Sequence, residues 1–127
     1  MGYLIEVTDS FSSAHQLRGY HGKCERLHGH NWKVTLVLSA KRLNKIGLVV
    51  DFGEAKRFLS DLLRELDHTL LNEHPYFVSV NPSSENIARY IFNTLTTRLK
   101  KLTTVRVERV EVWESERTKA VFYSSKR

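Results

Sequence analysis

The sharpest chemical feature of the chain is His28-Gly29-His30. In an extended segment residues i and i+2 point to the same side, so the two imidazoles converge on one point. Gly29 between them is expected to let the backbone approach closely. His15 ends an upstream strand placed to pair with the strand that His30 opens. Three neutral imidazoles suit Zn²⁺, and three protein ligands leave a fourth position for water or substrate. The plainer alternative is that the histidines cap strands or sit in solvent.

Three further groups near this triad or beyond it each admit two readings. Cys24 lies four residues before His28, as a fourth ligand closing the site or as a thiolate base or nucleophile beside an open metal. A small buried hydrophobe fits poorly between Lys23 and Glu25. Asp67-His68 ends a helix, where the dipole alone favours a histidine. Asp67 can equally orient His68 as an acid/base. Glu114 falls on the apolar phase of its strand, where a carboxylate is costly unless paired. Its partner is either a ligand presenting two N–H donors or a cross-strand Arg or Lys.

The elements that must position these groups can be read from periodicity. Residues 3–11 alternate as a strand, residues 15–30 are a polar, glycine-containing loop, and residues 31–42 resume as a strand with Trp32, Val34, Leu36 and Leu38 on one face. Leu48-Val49-Val50 reads as a short strand end after Gly47. Residues 54–66 and 85–100 switch to helical spacing, the second helix capped by Ser83 or Ser84. Residues 104–114 form a strand whose apolar phase slips between Val107 and Val110, which predicts a β-bulge and puts Glu114 on the face of Val110 and Val112. A turn around Ser115–Arg117 leads to a last strand over 118–125. Strand, strand, helix, helix, strand, strand predicts an α+β fold, a four-stranded antiparallel sheet with both helices on one face. Its two open edges must be covered or paired, and pairing between subunits is one solution.

Composition narrows the setting. The chain of 127 residues fits one domain over 1–127, with 41% hydrophobic residues for its core. An enzyme this small often completes its site with neighbouring subunits. The formal net charge is +6, which suits nucleic acid, a membrane surface or a phosphorylated small molecule. The basic residues are scattered, with short runs only at Lys100-Lys101 and Lys126-Arg127, so most belong to a solvated face. A single cysteine excludes an intramolecular disulfide. Met1–Glu6 carries no basic leader or apolar signal core, and no apolar run is long enough to span a bilayer. A cytoplasmic protein is expected. A basic zinc-containing nucleic-acid module is the alternative of another class, but such modules usually close their sites with paired cysteines.

The ordered set Phe11-x-x-Ala14-His15, Cys24-x-x-x-His28-Gly29-His30, Val50-Asp51-Phe52, Leu66-Asp67-His68-x-x-Leu71-Asn72, Pro82-Ser83-Ser84-Glu85-Asn86 and Glu114-Ser115 resembles the 6-pyruvoyl-tetrahydropterin synthase and 6-carboxytetrahydropterin synthase family across nearly the whole chain. The resemblance implies the tunnelling fold, in which subunits join their sheets into barrels, commonly a hexamer made from two trimers. It implies a 7,8-dihydroneopterin triphosphate substrate, with no nucleic-acid or membrane partner, and Zn²⁺ held by His15, His28 and His30. It also implies that Cys24 is the proton-transferring thiol, assisted by Asp67 and His68. Glu114 would anchor the pterin ring, with Ser83, Ser84 and Glu85 around it. Ser83 stands where relatives often carry Thr, which keeps the hydroxyl.

The resemblance leaves the product open between two branches. The carboxy-producing branch, used in queuosine and other deazapurine pathways, cleaves a carbon–carbon bond. The pyruvoyl-producing branch retains the side-chain carbons. A third, folate-linked branch replaces the cysteine with glutamate, and Cys24 argues against it. The compact chain favours the carboxy branch. A non-catalytic pterin-binding oligomer is a further rival.

Overall fold

Alternating apolar residues build one face of a sheet and two helical stripes close over it. In the computed structural model, which describes residues 1–125, the strands are β1 (Tyr3–His15), β2 (His28–Ala40), β3 (Arg106–Ser115) and β4 (Thr118–Tyr123), and the helices are α1 (Phe52–Leu66) and α2 (Ser84–Arg98). The basic pair Lys126-Arg127 lies outside the described residues. The strands form a single antiparallel sheet in the order β1-β2-β3-β4. Val7 and Phe11 of β1, Trp32 and Val34 of β2 and Val110 and Val112 of β3 share one buried face. Leu59, Leu62 and Leu66 of α1 and Ile87, Ile91 and Leu95 of α2 pack onto it as one continuous cluster. The α+β architecture with both helices on one face is as expected. Trp32 is fully buried in this cluster, where truncation to alanine costs about 3–5 kcal/mol.

The opposite face carries no helix and is covered by long charged side chains. Arg109 reaches Glu111 at 2.9 Å and Glu6 at 3.4 Å, and Lys119 reaches Glu111 at 2.7 Å. Lys33 and Lys119 both lie over the Trp113 ring, 5.1 and 4.7 Å from its centre. Burial pushes the Glu111 carboxyl up, but its bonds to Lys119 and Arg109 outweigh burial and hold it below the ordinary glutamate range.

The phase slip in β3 is a bulge. Val37 pairs with Arg109 and Leu38 with Val107, so Glu108 is the extra residue. Other boundaries differ from expectation. β1 ends at His15 as expected, although its apolar alternation stops at Phe11, and β2 begins earlier than expected, at His28, because His28–Asn31 stay in register with Ser12–His15. Leu48-Val49-Val50 is not a strand. The Asn44 side chain accepts from the backbone N–H of Ile46 and Leu48, both at 3.0 Å, and Gly47 takes a φ of 86°. That turn tips Val49 and Val50 into the core as anchors. The helices start two residues and one residue earlier than the expected 54 and 85, and Ser83, not Ser84, caps α2, its Oγ accepting from Asn86 N at 3.1 Å.

Candidate active site

The β1–β2 pairing sets the triad. His15 lies opposite His28 and Ser13 opposite His30, which puts His15, His28 and His30 together on the helix-facing side at one end of the sheet. Their ring centres are 4.7 to 5.2 Å apart. One ring nitrogen from each lies within 4.8 Å of the others. Trp32, two residues further into β2, forms an apolar floor, its ring edge-on to His15 at 4.9 Å and to His30 at 5.0 Å. Its Nε1–H donates to the Ser13 carbonyl at 3.1 Å, which fixes the floor to β1.

The protons of these rings decide what the cluster can hold. His15 Nδ1 is 2.7 Å from the Pro82 carbonyl, and His28 Nδ1 is 2.7 Å from the Arg26 carbonyl. A carbonyl only accepts, so both Nδ1 atoms donate and both Nε2 atoms of the neutral rings present lone pairs. Those two Nε2 atoms face each other at 3.1 Å. His30 Nε2 is buried with no hydrogen-bond partner among the described residues. Lone pairs this close repel unless a cation sits against them. With metal–nitrogen bonds of about 2.0–2.1 Å, two ligands of a tetrahedral ion stand roughly 3.3 Å apart, close to the spacing found. Burial pushes the His30 pKa below its ordinary value; Glu114 opposes this, while His15 and His28 add to it. The shift favours the neutral ring, the form that ligates a metal. The three histidines can therefore hold a metal ion.

Glu114 follows Val110 and Val112 on the helix-facing side and sits at a second bulge. Trp113 pairs with Lys119 and Ser115 with Thr118, leaving Glu114 unpaired one residue before the hairpin turn. Its carboxylate oxygens lie 3.8 Å from His30 Nε2 and 3.9 Å from His15 Nε2, and Ser84 Oγ donates to it at 3.5 Å. Among the described residues no lysine or arginine pairs with Glu114, so the cross-strand salt-bridge reading is not what the structure shows. Ser83 is occupied as the α2 cap, while Glu85 is exposed in the first turn of that helix.

Asp67 and His68 sit on the free edge of β1. Asp67 Oδ1 accepts from Ser12 N at 2.8 Å, Asp67 Oδ2 is 2.8 Å from His68 Nδ1, and His68 N donates to the Ser12 carbonyl at 2.6 Å. The Ser12 N–H first, and then the His68 ring, hold the Asp67 carboxyl below the ordinary aspartate range. His68 takes a φ of 54°, a left-handed conformation uncommon outside glycine, and its side chain is 81% exposed. An open groove of about 360 Å³ is lined by both His30 and His68, with Ser13, Gly29 and Thr69 between them. Gly29 is not there for close backbone approach. A Cβ on it would meet the Ser13 carbonyl at an ordinary 3.8 Å. Cys24 is exposed on the loop joining β1 to β2 and is not part of the histidine cluster.

Periodicity and motif spacing did not point to the groups that hold the histidines, the Pro82 and Arg26 carbonyls, or to two asparagines that hold the chain beyond His15. Asn72 bonds the backbone of Gln16 in both directions, accepting at 2.8 Å and donating at 2.7 Å. Asn81 does the same to Arg18, at 2.8 and 2.9 Å. These side-chain amides continue β1 as a neighbouring strand would. Asn72 stands at the end of the Leu66–Asn72 motif, whereas Asn81 lies one residue before the Pro82–Asn86 motif and carried no signal.

Known proteins share this arrangement of elements. The family model described as 6-pyruvoyl tetrahydropterin synthase matches residues 4–125. The chain is 40% identical over 113 residues to a putative 6-carboxy-5,6,7,8-tetrahydropterin synthase of Archaeoglobus fulgidus, covering 89% of each. It is 35% identical over 127 residues to the 6-carboxy-5,6,7,8-tetrahydropterin synthase of Synechocystis, covering 96% of this chain and 94% of that one. Its structure superposes on that of Caenorhabditis elegans 6-pyruvoyl tetrahydropterin synthase with a TM-score of 0.85 at 26% identity, covering 98% and 97% of the two chains.

Proposed function

The chain belongs to the 6-pyruvoyl tetrahydropterin synthase family, and on that premise we propose that it is a zinc-dependent lyase that converts 7,8-dihydroneopterin triphosphate and one water to 6-carboxy-5,6,7,8-tetrahydropterin, acetaldehyde and triphosphate. The observation that carries this reading is the pair of bare Nε2 lone pairs on His15 and His28 at 3.1 Å, with unpartnered His30 Nε2 beside them. It is supported by the curated relatives of 40% and 35% identity, both named for the carboxy product.

In this proposal His15, His28 and His30 hold Zn²⁺, whose Lewis acidity makes the C–H bonds beside the substrate's side-chain hydroxyls more acidic. Cys24, a free thiol on the loop leading into His28, takes and returns the proton. His68, oriented by Asp67, is the second acid/base group, and its exposure on the groove leaves the ring open to substrate. Glu114 accepts two N–H bonds from the pterin ring, with Ser83, Ser84 and Glu85 shaping the surroundings. Ser84 already touches the Glu114 carboxylate. The positive charge of the chain draws in the triphosphate.

The reading includes a closed homo-oligomer, a hexamer of two trimers, in which the open edges β1 and β4 pair between subunits. No helix among the described residues is long and apolar enough to cross a membrane. A cytoplasmic setting, where a lone thiol stays reduced, completes the proposal. Release of acetaldehyde together with triphosphate from the triphosphate substrate is its test. The pyruvoyl reaction is the second reading, favoured by the structural likeness to the C. elegans enzyme, and it releases triphosphate without acetaldehyde.

A further inference from the structure

His15 is the most buried of the three histidines, 1% exposed, and it reaches the cluster from β1 with its Nδ1 proton committed to the Pro82 carbonyl. That carbonyl belongs to the segment before α2, which packs against β1 from a distant part of the chain. It is pinned on both sides. On one side Asn81 is held by its reciprocal side-chain bonds to Arg18, and its own carbonyl accepts from Asn86 Nδ2 at 2.9 Å. On the other side Ser83 is held as the α2 cap by Asn86 N. Asn86 thus grips the residues before and after Pro82, one with its side chain and one with its backbone. The bridge ends on the ligand side as well, because Arg18 lies three residues beyond His15 on the continuation of β1.

We propose that Asn86 and Asn81 are positioning residues for the metal: they fix the Pro82 carbonyl, and through it the tautomer and orientation of His15. A histidine ligand depends on the acceptor of its other ring proton, which sets the nitrogen left bare and its basicity. His28 has the same need but meets it within its own loop, through the Arg26 carbonyl two residues away. His15 takes its acceptor from across the fold and needs the asparagine bridge to keep it there. The inference rests on the metal reading of the triad.

Asn86→Asp is the informative variant. The carboxylate is nearly isosteric and is favoured in the first turn of a helix, so α2 keeps its cap, but the donor to the Asn81 carbonyl is gone. Asn81→Ala is the second variant should the first fail to fold. Two readouts are taken on the full chain. The first is the two-bond proton–nitrogen spectrum of the histidine rings in the metal-free protein at about pH 8, above the ordinary histidine pKa. The unaltered chain is expected to show His15 with its proton on Nδ1. The variant is expected to show His15 shifted toward a mixture of tautomers while His28 stays on Nδ1. The second readout is zinc affinity by competition with a chromophoric chelator, expected to fall about 10–100-fold. An unchanged His15 pattern overturns the proposal even if affinity falls, because the asparagines would then act only through general folding. Affinity within twofold of the unaltered chain overturns it too. If the unaltered chain takes up no zinc, the metal reading fails on its own, and the tautomer spectrum, which needs no metal, still decides this proposal.

Discussion

The Nε2 atoms of His15 and His28 stand 3.1 Å apart, although each ring already donates its Nδ1–H to a backbone carbonyl. Two neutral imidazoles arranged this way have nothing between them to share, and the unpartnered His30 Nε2 completes a set of three. We expect about one zinc per chain. His28→Ala and His30→Ala should each lose it, as measured by elemental analysis after gel filtration. Full zinc content in both variants would remove the metal assignment.

Cys24 is exposed and outside the histidine cluster, so its replacement should leave the fold and metal intact. Cys24→Ala should change unfolding free energy by no more than about 0.5 kcal/mol and keep its zinc, yet lose turnover by about a hundredfold or more, the usual contribution of a proton-transfer group. Loss of the metal in this variant would instead make Cys24 a ligand and the site a closed one.

Glu114 faces the histidine cluster and has no cationic side chain to satisfy it among the described residues. Glu114→Ala should weaken binding of pterin by roughly tenfold or more, the worth of hydrogen bonds to a charged group, while zinc content is unchanged. Titration calorimetry with pterin reads this directly. Equal affinity would reassign the carboxylate to the histidine cluster itself.

How much of this could be read in advance depended on whether a feature leaves a periodic trace. The bulge at Glu108 did, because Val107 and Val110 fall in opposite phases on either side of it. The bulge at Glu114 did not, because the strand turns before another apolar residue can register the slip. The start of β2 was underestimated because His28–Asn31 is ordered by cross-strand pairing with Ser12–His15 and by the Trp32–Ser13 bond, not by apolar alternation. Leu48-Val49-Val50 misled in the other direction, its apolar run serving as anchors below a turn made by Asn44. The three histidines that cluster were visible from residue type and spacing. What orients them was not, since a backbone carbonyl such as that of Pro82 has no sequence signature, and side-chain amides that imitate a strand look like any loop asparagine.

The helix-free face gives a pH prediction. Glu111 is buried, and Lys119 and Arg109 hold its carboxyl below the ordinary range. A pKa lower in the folded than in the unfolded chain contributes stability that is present above the unfolded value and is lost as pH falls through the folded one. Denaturant unfolding should therefore show stability falling through the acid range. Glu111→Gln should cost about 1–3 kcal/mol at neutral pH and flatten that acid dependence. An identical pH profile for the two proteins would mean that the ion pairs to Glu111 contribute nothing.

The carboxy and pyruvoyl reactions share substrate, metal, thiol and acid/base pair, and they part only in the fate of the substrate's side chain. The most direct measurement is to incubate the purified, zinc-loaded full chain with 7,8-dihydroneopterin triphosphate and follow acetaldehyde, triphosphate and the mass of the pterin product together. The account predicts that acetaldehyde and triphosphate appear in equal amounts, with a pterin mass corresponding to 6-carboxy-5,6,7,8-tetrahydropterin. Triphosphate released without acetaldehyde, from a product that keeps all its side-chain carbons, would contradict it.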